Sequence, residues 1–329
     1  MARAIGSNAA LKFCQEQTWG ITPANPTKVY GLNIRSESIG STKNLFQSDT
    51  INHYRSVVGL GDGNKAVAGN IVTDLFPEGL EVLIRHLLGK PTVTTTGSGP
   101  FTHVMKGDAN YLEGISLEKG FINVGQYFMY TGLRVNSMTI NLVQEGLHEV
   151  TFDFIGKTET IAQATQITGV AVYGTKNGYT GFQCTVYTNH TNGVDYVALG
   201  NVVSGSISIN NNIETDGYVL GSPYRASASY GKRQCTGDFT VFFENADLYN
   251  VYSNGVECGI KFVFDNGLGD TMTFEFPAVK VGGEAPKITG AGGLNLPLNF
   301  QARRDDTEQT DVIVTIVNSL SAIDLAPGE

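Results

Sequence analysis

Hydrophobic and polar positions along this chain follow two periods, and the order of those periods recurs. Tyr30, Leu32 and Ile34 alternate with Gly31, Asn33 and Arg35 over residues 30–36, the pattern of a half-buried strand. A long polar loop is predicted over 39–55, and a second strand over 69–76. Pro77, Glu78 and Gly79 then open a helix, because proline at a helix start gives up a donor that has no partner there. Leu80, Leu83, Ile84, Leu87 and Leu88 share one face of that helix, and Gly89 with Pro91 ends it. Three strands should follow, over 115–121, 127–142 and 148–156. The middle one far exceeds the usual strand of about 5–6 residues and predicts a long hairpin, bent or projecting.

The later part of the chain repeats this grammar. Ile207 and Ile209 alternate, a loop runs through Arg225, and 237–243 reads as a strand. Leu248, Val251 and Tyr252 make a shorter helical face that stops at Gly255, and a last strand is expected over 311–317. Individual landmarks match as well. Tyr54 and Arg55 return as Tyr224 and Arg225, Gly69 as Gly237, Gly146 as Gly292 and Phe154 as Phe300. The separations are steady at 170 for the arginines, 168 for Gly69 and Gly237, and 146 for Phe154 and Phe300. The drop between them falls at a polar insertion over 90–108, so one loop insertion accounts for most of it. A repeat of roughly 150 residues has the size of a domain rather than of a solenoid unit.

The expected organisation is therefore an amino-terminal arm over 1–30, a first domain over 31–160, a linker over 161–180, a second domain over 181–318 and a tail over 319–329. The fold class is mainly β, two tandem β-sandwich or partial-barrel domains, each with one flanking α-helix and a core of its own. Composition agrees: 41% hydrophobic residues, 40 glycines and only 16% charged residues suit short strands and tight turns.

Charge narrows the function classes. The net charge is -9, and it is uneven: residues 1–160 hold 13 basic and 14 acidic groups, 161–329 hold 9 and 17. Nucleic-acid affinity rests on cations against phosphates, so a sequence-specific binder is not expected. Cys14, Cys184, Cys235 and Cys258 lack CxxC spacing and read as free thiols. The five histidines show no metal-ligand spacing, and the Asp265–Asp270 and Asp305–Asp306 carboxylates do not match a calcium loop and read as exposed turns. The glycines at 59, 61 and 63 lack the lysine of a phosphate loop and read as a β-turn. No catalytic constellation, metal or cofactor is expected. The first residues lack the apolar stretch of a secretory signal, and no apolar run reaches the ~18 residues of a membrane span.

Glu16, Trp19, Gly20 and Pro23, the step Ser36, Glu37, Ser38, then Arg55, Gly69 and the helix end at Leu87, Leu88 and Gly89, resemble the tail tube proteins of tailed bacteriophages. Residues 115–157, 237–254 and 274–303 are similar to the middle and second half of that family. The resemblance implies a structural virion protein whose sheets join between subunits around a hollow lumen, in rings stacked into a tube that delivers double-stranded DNA. It implies assembly in the host cytoplasm, and tape measure and terminator proteins as partners. Family members with one such domain form hexamers, so a duplicated chain is expected as a trimer with a pseudo-hexameric ring. Trp19, Pro23, Glu37, Arg55, Tyr224 and Arg225 are the candidate assembly residues, and Gly69, Gly237, Gly89, Gly255, Phe154 and Phe300 the structural landmarks of the repeat. An acidic inner wall, drawn from the second half, would repel phosphates. The alternative is a β-sandwich adhesin that grips a receptor with its loops; it predicts clusters of exposed aromatic residues at loop tips.

Overall fold

The computed structural model describes residues 3–51, 53–95, 99–107, 113–190, 193–288 and 290–320. In chain order the strands are β1 (Ala9–Gln15), β2 (Val29–Gly31), β3 (Ser36–Glu37), β4 (Gly40–Gln47), β5 (Leu60–Asp74), β6 (Thr92–Thr95), β7 (Phe101–Lys106), β8 (Ile115–Phe121), β9 (Gln126–Leu142) and β10 (Glu149–Gly156). There follow β11 (Thr158–Ala162), β12 (Ala171–Val172), β13 (Cys184–Thr188), β14 (Val197–Leu199), β15 (Val202–Asn210), β16 (Gln234–Phe242), β17 (Glu257–Asp265), β18 (Thr271–Gly283), β19 (Asn295–Ala302) and β20 (Ile313–Asn318). Two helices, α1 (Glu81–Leu88) and α2 (Asp247–Ser253), complete the mainly β fold. Each helix follows the strand that the repeat predicts for it, after β5 and after β16.

Backbone pairing sets the architecture. β5 pairs β10, β10 pairs β9, β9 pairs β15, β15 pairs β16, β16 pairs β19 and β19 pairs β18, all antiparallel. β3 and β4 flank β5 on its far side, so the order β3/β4, β5, β10, β9 is followed by β15, β16, β19, β18. The same four-strand arrangement thus occurs twice, side by side. Registers match as well: Gly69 faces Phe154 across one ladder, and Gly237 faces Phe300 across the other. β9 also pairs β8 and β11 through its first half, which makes it a single strand shared between two sheets rather than the hairpin its length predicts. The switch falls at Gly132, where φ is +66° in mid-strand.

One face of the eight-strand run is apolar and buried, with Ile71, Phe152, Ile140, Ile207, Phe239 and Leu298 turned inward. α1 lies against β9 and α2 against β18, the equivalent strand. The two halves do not keep separate cores as predicted. One continuous cluster joins them, and His148, edge-on, and Tyr179, tilted, pack against Phe264 at centroid distances of 5.2 and 5.7 Å.

Several predicted segments take a different form. Residues 9–15, read as part of an arm, pair with β8 and bury Leu11, Phe13 and Cys14, so apolar alternation there outweighs the prolines downstream. The insertion at 90–108 contains the hairpin β6–β7, and β7 pairs β20 of the second half. The linker packs too: Ile167 and Tyr179 are buried, and β12 makes a parallel pair with β2. The loop over 39–55 contains β4, and the glycines at 61 and 63 lie within β5 rather than in a turn. Asp270, read as an exposed turn carboxylate, is buried and bound to Lys176 at 2.5 Å, beside Glu78 at 2.8 Å from the same amine. The tail residues 321–329 lie outside the described residues.

The repeated glycines have a shared cause. A Cβ on Gly69 would stand 2.5 Å from the Ser38 carbonyl oxygen, and one on Gly237 would stand 2.5 Å from that of Ser206. Gly69 also has φ +151°. Gly69→Ala should therefore cost about 2–4 kcal/mol and Gly237→Ala about 1–3 kcal/mol, read as a lowered urea unfolding midpoint.

Candidate assembly surface

Of the predicted site residues, Trp19, Tyr224 and Arg225 gather where the second half leans on the first, and Pro23, Glu37 and Arg55 lie apart from that contact. Gly20, with φ +80°, lets the chain turn tightly after Trp19. That turn brings Glu16 and Trp19 to the same peptide unit: Gly132 N–H donates to Glu16 Oε1 at 2.7 Å, and Trp19 Nε1 donates to the Gly132 carbonyl at 2.9 Å. Glu16 also accepts from Ser116 Oγ at 2.7 Å and from Gly20 N at 2.6 Å. Burial still pushes its carboxyl up from the ordinary value, against those three donors. The Glu16, Trp19, Gly20 motif is thus a clamp on the point where β9 changes sheets. Over the Trp19 ring lie the Arg134 guanidinium at 5.0 Å and Lys157 Nζ at 4.8 Å.

The segment 211–233, between β15 and β16, covers this corner. Ile213 and Ala228 are buried with Ile155 and packed by Trp19 and Tyr230. Asn211 Nδ2 donates to the Leu87 carbonyl at 2.8 Å and Tyr230 Oη to that of His86 at 3.3 Å, satisfying carbonyls at the end of α1 that the helix itself leaves open. Enclosed in this way, every residue of α1 is buried, not only the predicted face. Burial, with Arg85 adjacent, holds the His86 imidazole down at about 3.

Arg225 sits at the centre of the contact. Its Nη1 donates to the carbonyls of Val67 at 3.0 Å and Gly156 at 2.7 Å, and its Nε to Thr215 at 3.0 Å. Tyr218 lies under the guanidinium at 5.5 Å and donates to the Lys65 carbonyl at 3.0 Å. Tyr224 is half-buried with Lys65 Nζ 5.5 Å above its ring. Arg55 stands in contrast. It is exposed between β4 and β5, so the two arginines do not make the same contact twice within one chain, nor is Arg225 held by an ion pair; backbone carbonyls hold it.

Glu37 lies at the outer edge of the sheet, its carboxylate bound to Lys119 Nζ at 3.0 Å and accepting from Ile39 N at 3.1 Å. Pro23 is half-buried and joins neither group. Gly89 and Gly255 end their helices at φ +129° and +60°, with N–H groups donating to Arg85 and Tyr252 carbonyls. Phe154 and Phe300 are both core residues.

The face of the eight-strand sheet turned away from the core is polar. Ser206, Asp238 and Asn299 form one row across it, continued by Asn141 and Glu149 on β9 and β10. Along β15, β16 and β19 the only carboxylate is Asp238, so the acidic excess of the second half is not concentrated there.

The sheet thus joins two equivalent four-strand groups edge to edge, with a clamped strand switch beside the join. A family model for phage tail tube proteins matches residues 6–302. The chain belongs to the phage tail tube protein family. It is a structural component of the virion tail. No curated protein matches the sequence. Among the described residues of this tail tube protein, no helix is long and apolar enough to cross a membrane.

Sequence reasoning missed the cations around the clamp. Lys65, Arg134 and Lys157 have counterparts in Arg233, Lys280 and Arg303 at the separations of 168 and 146 already seen for the glycines and phenylalanines. That recurrence was the available signal. Replacing Arg225 with methionine keeps the apolar stem and strips the buried carbonyls of Val67 and Gly156 of their donor. The variant should lose roughly 2–4 kcal/mol in urea unfolding, with retained far-ultraviolet β signal.

Proposed function

We propose that this tail tube protein polymerises as stacked rings into the hollow phage tail tube and that the tube conducts genomic double-stranded DNA to the host. The observation that carries this reading is the doubled strand order with two unmatched edges. β3 and β4 begin the eight-strand run, the last residues of β18, past its pairing with β17 at Lys280, end it, and the internal join of β9 to β15 is the kind of contact that would connect the end of one chain to the start of the next. Open strand edges invite pairing, and ring closure removes them. The matching registers at Gly69 with Phe154 and Gly237 with Phe300 support a duplicated tube domain, with boundaries near 31–160 and 181–318.

Three chains then supply six equivalent four-strand groups, so the ring is a trimer with pseudo-sixfold symmetry. The polar face of the sheet lines the lumen. Serine, threonine and asparagine there offer DNA neither a cationic hold nor a strongly repulsive wall, which suits passage without binding. Tape measure and terminator proteins contact the tube at its ends, and assembly takes place in the host cytoplasm.

The adhesin reading draws on one observation, the exposed Phe46 and Tyr54 of the β4–β5 hairpin. Electron microscopy of the purified protein over a concentration series separates the two. Hollow tubes whose averaged end-on views hold three whole chains per ring are expected. Six whole chains per ring would contradict the trimer, and compact monomers that bind a cell-surface receptor would favour the adhesin.

A further inference from the structure

The two halves carry equivalent parts, but only those of the first half are covered. Segments 43–65 and 211–233 have equal length and occupy equivalent places between paired strands. The second folds onto the first half of its own chain; the first stands out as a hairpin. At equivalent positions Ile213 is 5% exposed and Leu45 65%, while Ala228 is 0% exposed and Leu60 76%. The helices differ in the same sense, since α1 is buried throughout and α2 buries only Val251. The outer edge of β9 at 137–142 is paired with β15, whereas in its equivalent, 283–288, only Gly283 belongs to β18, with Leu298 of β19 on its inner side, and 284–288 form no strand and have none beside them among the described residues.

The place equivalent to the Arg225 site is open as well. A basin of about 690 Å³ there is lined by Gln234, Lys280, Ala302 and Arg303, the counterparts of Ala66, Arg134, Gly156 and Lys157. Its cations do not bar an arginine. Arg233 is bound to Asp311 and Arg303 to Glu257, each at 2.6 Å, and Arg225 itself sits among Lys65, Arg134 and Lys157 by bonding to backbone carbonyls.

We infer that the exposed β4–β5 hairpin of one copy docks on the second half of a neighbouring copy, repeating between chains the contact that 205–230 makes within one. Glu37 to Thr42 adds antiparallel to the edge 283–288, with Ser41 opposite Glu284, as Ile209 lies opposite Met138. Arg55 enters the basin and bonds the carbonyls of Cys235 and Ala302. Leu45 and Leu60 take the places of Ile213 and Ala228, over Gln301, the counterpart of Ile155. The contact is heterologous, so it propagates from chain to chain and closes when the rotation completes a circle. It rests on the assembly reading above and assigns that reading its residues.

Two proteins, Ser41→Cys and Glu284→Cys, each also carrying Cys184→Ser because that native thiol is half-buried, test the edge when mixed and oxidised; Cys14, Cys235 and Cys258 are buried and leave little background. Disulfide-linked pairs of one variant with the other are expected, and neither variant alone should link to itself. Arg55→Glu should raise the concentration needed for assembly roughly tenfold or more while leaving the melting temperature of the lone chain unchanged. Tubes that form without the 41–284 link and tolerate Arg55→Glu would overturn this interface and leave the tube reading standing. A chain that neither assembles nor links at any concentration would overturn both.

Discussion

The backbone ladder between β9 and β15 is the constraint on which the rest of the structure depends. It sets the two equivalent four-strand groups edge to edge with their apolar faces on one side, so that a single core runs beneath both. Because the side-chain period of a strand is two, a slip of one residue in this ladder would turn Ile207 and Ile209 outward and Ser206 and Ser208 into the core. The bent β9 is fixed at Gly132 by Glu16 and Trp19, and the adjacent corner by Arg225. In each clamp a polar side chain, Glu16 or Arg225, is engaged by backbone hydrogen bonds.

Much of the fold was legible in the sequence where a local rule decides the outcome. Gly69 and Gly237 recur because the neighbouring carbonyl leaves no room for a Cβ, and α1 and α2 fall where the helical period and the terminal glycines put them. Strands β8 and β10 fall within a residue of their expected bounds. The misreadings share a different cause: each concerned a segment whose state is set by a distant partner. Residues 9–15 look like an arm until β8 is beside them, and 101–106 look like a polar insertion until β20 pairs with them. The length of β9 signals something unusual, but only its pairing with four other strands distinguishes a shared strand from a hairpin.

The candidate residues were legible in kind rather than in role. Trp19 does anchor the amino-terminal segment, though as one half of a clamp on Gly132. Arg55 and Arg225 recur at a separation of 170, yet one is exposed and the other buried, a difference no periodicity encodes because it depends on which surface each loop meets. The asymmetry itself is informative. Equivalent sequences in unequal environments point to a contact that is satisfied inside the chain on one side and awaits a second chain on the other.

Amide hydrogen exchange along 37–42 and 283–288, compared between lone and assembled protein, tests the central claim most directly. The account predicts fast exchange at both edges in the lone chain and, after assembly, protection approaching that of 137–142, whose ladder is already formed. Edges that still exchange rapidly in fully assembled tubes would contradict it.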